Sequence, residues 1–112
     1  MFEVVFSQES IENIQSFVRS YEGTFVRRFS DSGLWSVETI LEQYRSLTND
    51  LYVNLKTSII SRLEIPRVLG RKKTGKLLRI SFSINDFFII VRYKESLKEK
   101  ARYVEALFVN KL

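Results

Sequence analysis

The chain has 112 residues, 18 of them Lys or Arg and 13 Asp or Glu, giving a net charge of +5, and 45% of it is hydrophobic. That length fits one domain, and that apolar content supplies a real core and excludes a disordered chain. It has neither Cys nor His, so disulfides, thiolate metal sites and imidazole bases are excluded, and a reducing, cytoplasmic compartment is the expected setting.

The opening MFEVVFSQES has no basic segment followed by an apolar one, so no signal peptide is expected. The apolar runs of the chain are far shorter than the ~20 residues that cross a bilayer, so no membrane partner is expected. Residues 2–6 are β-branched and aromatic and read as a strand, after which Ser7 or Ser10 offers a helix N-cap. Ile11, Ile14, Phe17, Val18 and Tyr21 recur at spacings of three and four, an amphipathic helix that could run on through Phe25 and Phe29. Ser30–Gly33 reads as a turn.

Ser36 can cap a second helix, with Ile40, Leu41, Tyr44, Leu47, Leu51, Leu55, Ile59 and Leu63 along one stripe. Thr48–Asp50 is a place for a bend, and Pro66 must end the helix. The period then changes. Residues 67–69 form a possible short strand and residues 71–76 a basic loop. In residues 77–84, Leu78, Ile80, Phe82 and Ile84 alternate with Leu77, Arg79, Ser81 and Ser83, the period of a strand. Asn85–Asp86 reads as a tight turn, residues 87–93 as a strand, residues 95–100 as a charged loop or helical turn, and residues 101–109 as a strand or, second, a helix. The order is β-α-α-β-β-β-β. It predicts an α+β domain in which a two-helix hairpin packs on one face of an antiparallel-rich sheet, with the first strand joining from a distance beside a later one.

Arg67, Arg71, Lys72, Lys73, Lys76 and Arg79 place six cations in thirteen residues with no acid among them. A phosphate backbone favours such a cluster, because each neutralised phosphate releases counterions. Arg79 interrupts an apolar strand, so it should point away from the helices and share a sheet face with Arg92. The competing account is a solvated loop and a solvated sheet face. Arg19, Arg27 and Arg28 read as surface arginines whose stems cover apolar surface. Glu38 and Glu42, four apart, share a helix face without a third ligand, so no metal is expected.

The stretches EVVFS, Ile65-Pro66-Arg67, KLLRISFS, FFIIVRY and RYVEALFVNKL, in this order, resemble the RelE/ParE superfamily of bacterial toxins from toxin–antitoxin pairs. The long second helix, the charged residues 94–100 and Glu105 inside the last strand depart from that pattern. The resemblance implies a single RelE/ParE-like domain, an acidic antitoxin partner, and RNA, including ribosome-bound mRNA, as the target. It implies a metal-independent endoribonuclease without cofactors, in which Lys76, Arg79, Arg92 and Tyr93 are the catalytic set. Arg67, Arg71, Lys72, Lys73 and Tyr103 would then hold the RNA. Attack by a 2′-hydroxyl on the adjacent phosphate needs a proton acceptor, a proton donor and cations around the phosphorane. Without His, a Lys or Tyr serves only where neighbouring cations lower its pKa from ~10. Taken singly, Tyr93 and Tyr103 read as partly buried aromatics. Two alternatives accompany this reading: a gyrase-directed toxin of the same fold, and a non-enzymatic basic module that binds nucleic acid or protein.

Overall fold

The computed structural model describes residues 1–20, 33, 36–84 and 87–111. The expected extension of the first helix through Tyr21, Phe25 and Phe29, the turn at Ser30–Ser32, Arg27, Arg28 and the Asn85–Asp86 turn lie outside the described residues.

Strand β1 (Glu3–Phe6) leads into helix α1 (Gln8–Arg19). Ser7 is the N-cap: its hydroxyl oxygen accepts from the Ser10 amide at 3.0 Å. The same hydroxyl donates to the Glu105 carbonyl at 2.8 Å, and the Ser7 amide donates to the Val104 carbonyl at 3.0 Å. The start of α1 is thereby fixed to the last strand. Helix α2 (Val37–Leu63) is capped by Ser36 and runs unbroken through Thr48–Asp50. The Thr48 hydroxyl there bonds back to the Tyr44 carbonyl at 2.9 Å, which leaves the backbone ladder intact. The helix stops at Leu63, three residues before Pro66, as a missing donor and a clashing ring require.

Residues 67–69 form no strand; the chain there bends and turns, with Gly70 at φ +70°. The second strand of the chain, its fourth element, lies inside the expected basic loop instead, as β2 (Lys72–Thr74). It pairs antiparallel with β3 (Leu77–Ile84) across the two-residue turn Gly75-Lys76. Gly75 has φ +63° and Lys76 has no positive φ, the pattern of a II′ turn with glycine at its first central position. Strand β4 (Phe87–Ser96) runs three residues beyond its expected end, and residues 101–109 are strand rather than helix, within β5 (Ala101–Lys111).

The five strands form one mixed sheet in the order β1-β5-β4-β3-β2. Strand β1 joins from a distance, parallel to β5, and the other three pairings are antiparallel. Buried side chains from α1 (Ile14), α2 (Leu55, Ile59, Leu63), β3 (Leu78, Ile80), β4 (Ile89, Val91, Tyr93) and β5 (Val104, Leu107) meet in one core. Between Arg92 and Tyr93 the register slips: Arg92 faces Ala106 and Tyr93 faces Val104, so Glu105 is an extra, bulged residue. The bulge lets inward side chains sit at 102 and 104 before it and at 107 and 109 after it.

Candidate nucleic-acid interface

Alternation decides which residues of the sheet face away from the core. On β3, Leu78 and Ile80 are buried while the alternating Arg79 and Ser81 are exposed; on β4, Val91 and Tyr93 are buried while Arg92 and Lys94 are exposed. Lys72 pairs with Arg79, and Arg79 pairs with Arg92. Three cations therefore stand in one row across β2, β3 and β4, on one exposed face, each directly opposite the next. Like charges placed directly opposite are destabilising. A row of them is held by the pairing of the strands, which sets three positive charges side by side.

Beside this row the β2–β3 turn and the end of β4 enclose a cleft of about 470 Å³ lined by Arg71, Lys73, Gly75, Lys76, Leu78, Lys94 and Glu95. Its charges are partly balanced. Arg71 lies 3.8 Å from Glu95, and Lys94 lies 3.3 Å from the bulged Glu105. Among the described residues no carboxylate forms an ion pair with Arg67, Lys72, Lys73, Lys76, Arg79 or Arg92. Arg67 is exposed on the loop after α2 and belongs to no strand, so the register does not align it with the row.

Tyr93 requires a correction. It follows Arg92 on the same strand, and successive side chains of a strand point to opposite faces. Tyr93 is accordingly 0% exposed and packed in the core, not beside Arg92. Its hydroxyl is buried without a hydrogen-bond partner among the described residues. Burial pushes the phenol pKa up, against the smaller opposite pull of Arg102 and Arg71. Both facts count against an acid/base role on the exposed face. Tyr103 does stand on that face, opposite Lys94 on β4 and Val5 on β1. Its hydroxyl donates to the Glu99 carboxylate, and this bond raises its pKa as well.

Two features escaped the sequence. The first is Arg102, 1% exposed. Its Nε donates to Glu95 at 2.8 Å and its two Nη atoms donate to the carbonyls of Leu63 (2.6 Å), Ile65 (2.5 Å) and Pro66 (3.0 Å), while the guanidinium lies 3.7 Å over the Phe2 ring. It secures the end of α2 to the sheet. The second is the apolar continuation of the exposed face. Phe88 and Ile90 on β4 share the parity of Arg92, and Phe108, opposite Ile90, is 44% exposed. The unbroken apolar run FFIIV was the available signal, since a strand covered on one face alternates instead.

Glu38 and Glu42 are exposed on α2, and among the described residues no group of three acidic side chains could hold a metal ion. No described helix is long and apolar enough to cross a membrane. No protein-family model matches the chain, and no curated protein or solved structure matches it either.

Proposed function

We propose that the chain binds RNA through the exposed face of its sheet and acts as the toxin of a toxin–antitoxin pair, neutralised by an acidic antitoxin. The observation that carries the RNA reading is the Lys72–Arg79–Arg92 row. Three laterally adjacent cations, free of carboxylates among the described residues, suit a ligand with repeated negative charge. Lys73, which pairs with the buried Leu78, stands on the other face of β2 from Lys72, and with Lys76 it lines the cleft at the edge of the sheet. The β-α-α-β-β-β-β order and the stretches that resemble RelE/ParE toxins support the toxin reading.

Cleavage asks for more than binding. Lys76, Arg79 and Arg92 supply cations to surround a phosphorane. A proton acceptor is also needed, and neither tyrosine of the expected set supplies one, because both phenols are shifted away from ionisation. The cation row therefore carries the RNA-binding reading, and the endoribonuclease reading rests on the resemblance.

The test is induced expression in a bacterial host, with RNA recovered from the arrested cells. Growth arrest by the natural chain, relieved in Arg79→Ala and Arg92→Ala, is expected. Variants that stay folded and fully toxic would show that this face is not the site. New 5′ ends in the message during arrest would restore the nuclease reading. Arrest with intact message supports the binding one.

A further inference from the structure

Resting on the RNA reading above, we infer that Phe108 is a base-stacking subsite, so that the ligand of this face is single-stranded, with its bases unstacked and turned toward the sheet. Three placements carry the inference. Phe108 sits on the same face as the cation row: Ala106, two residues before it on β5, is the partner of Arg92. Two residues along a strand cover ~6.7 Å, so ring and cations are close neighbours. The Arg92 guanidinium itself lies 4.9 Å from the centre of the Phe108 ring. An exposed aromatic with an arginine laid over it offers two flat surfaces, a ring and a guanidinium plane, and both are surfaces on which unpaired bases stack.

The surroundings agree. Ile90 is the direct partner of Phe108, and Phe88 stands diagonal to it on the same face. This half of the face thus holds an apolar strip of Phe88, Ile90 and Phe108, bordered by Ser81 and Ser83 on β3 and Asn110 on β5, while the half beside it is cationic. A strand that is apolar on both sides is ordinarily covered on both sides. An occupant must satisfy an apolar strip and a positive row a few ångströms apart. A duplex presents phosphates outward with its bases stacked inside, and leaves the strip empty. A single strand laid with its backbone on Lys72, Arg79 and Arg92 can set a base on Phe108. The charge row selects this occupant over a second copy of the chain, which would bring its own cations against it.

The experiment uses the full chain and fluorescent RNA 12-mers: a uridine strand, an abasic strand of the same length and phosphate count, and a duplex. The natural chain is expected to bind the uridine strand at least about five-fold more tightly than the abasic one, one stacked base being worth ~1–3 kcal/mol. Phe108→Ala should remove that difference, weakening the uridine strand several-fold more than the abasic one. Phe108→Leu, which keeps the apolar bulk without the ring, should behave like Phe108→Ala. Arg92→Ala should weaken both strands. Equal binding of the uridine and abasic strands by the natural chain would overturn the stacking subsite and leave the phosphate surface standing. Absence of binding to any strand at low salt would overturn both. Self-association of the natural chain that Phe108→Ala abolishes would reassign the strip to a second copy and overturn the inference.

Discussion

Arg79 and Arg92 stand directly opposite each other on adjacent strands of the exposed face, with Lys72 next in the row and no carboxylate paired to any of the three among the described residues. Pairs of this kind cost a few tenths of a kcal/mol to ~1 kcal/mol. The molecule is therefore less stable with this row than without it. Replacing Arg79 by Thr, a strand-favouring residue, should raise stability in urea unfolding by about 0.5 kcal/mol. It should also weaken RNA binding and reduce the salt dependence of binding by ~0.7 in log–log slope, the share of one phosphate on a single strand. Opposite signs in stability and affinity are the signature of a functional row. A loss in both would mark Arg79 as structural.

Tyr93 is the converse case, a residue whose polar atom does nothing visible for the fold. Its hydroxyl is buried without a partner among the described residues. Removing it in Tyr93→Phe should leave stability unchanged or raise it by up to ~1 kcal/mol, and should leave RNA binding and growth arrest as they are. The pH dependence follows from burial, which raises the phenol pKa in the folded state above that of the unfolded chain. Stability from a raised pKa is fully present below the unfolded value and is lost as pH climbs through the folded one. The natural chain should therefore lose stability above pH ~10, and Tyr93→Phe should lose less. Matching base-unfolding curves for the two proteins would contradict this placement of the hydroxyl.

How far the sequence spoke depends on whether its alternation was intact. The spacing Leu55, Ile59, Leu63 and the alternation of Arg79 with Leu78 and Ile80 were legible, and both elements stand where they pointed. The placement of Tyr93 was legible too, since a neighbour of an outward Arg92 must point inward; the RelE/ParE resemblance had grouped the two together. Strand β2 was not legible. Its residues, Lys72, Lys73 and Thr74, carry no apolar alternation, and they are extended because β3 offers a partner across a glycine turn. Nor was Arg102, because Glu105 bulges out of β5 and reverses the phase. Counting back by twos from Leu107 puts residue 102 on the solvent side, whereas it lies in the core.

The II′ turn makes Gly75 the residue on which the position of Lys72 depends. At φ +63° any L side chain is strained, although the space around a new Cβ is open. Gly75→Ala should cost about 1 kcal/mol of stability and loosen β2. The loss of RNA affinity should resemble that of Lys72→Ala, because the turn's role is to align Lys72 with Arg79. An affinity unchanged by Gly75→Ala but lowered by Lys72→Ala would mean that β2 holds its register without the turn.

Arg102 sets the last prediction, because its environment differs from a simple buried ion pair. Breaking a buried pair by removing one partner costs ~3–5 kcal/mol, whereas replacing both partners with apolar residues is often neutral. Here the guanidinium satisfies Glu95 and also three carbonyls at and beyond the end of α2, groups that the helix itself cannot pair. Arg102→Met should therefore cost ~3–5 kcal/mol in urea unfolding. Arg102→Lys should recover only part of this, since an ammonium has no planar fork to span Glu95 and the loop carbonyls together. Adding Glu95→Gln to Arg102→Met removes the carboxylate, which would otherwise keep only Arg71 at 3.8 Å, but leaves the buried Leu63 carbonyl and the part-buried carbonyls of Ile65 and Pro66 without this donor, so the double variant should remain below the natural chain. Full recovery in the double variant would show that the carbonyl bonds carry little weight, and that Arg102 is held by its charge partner alone.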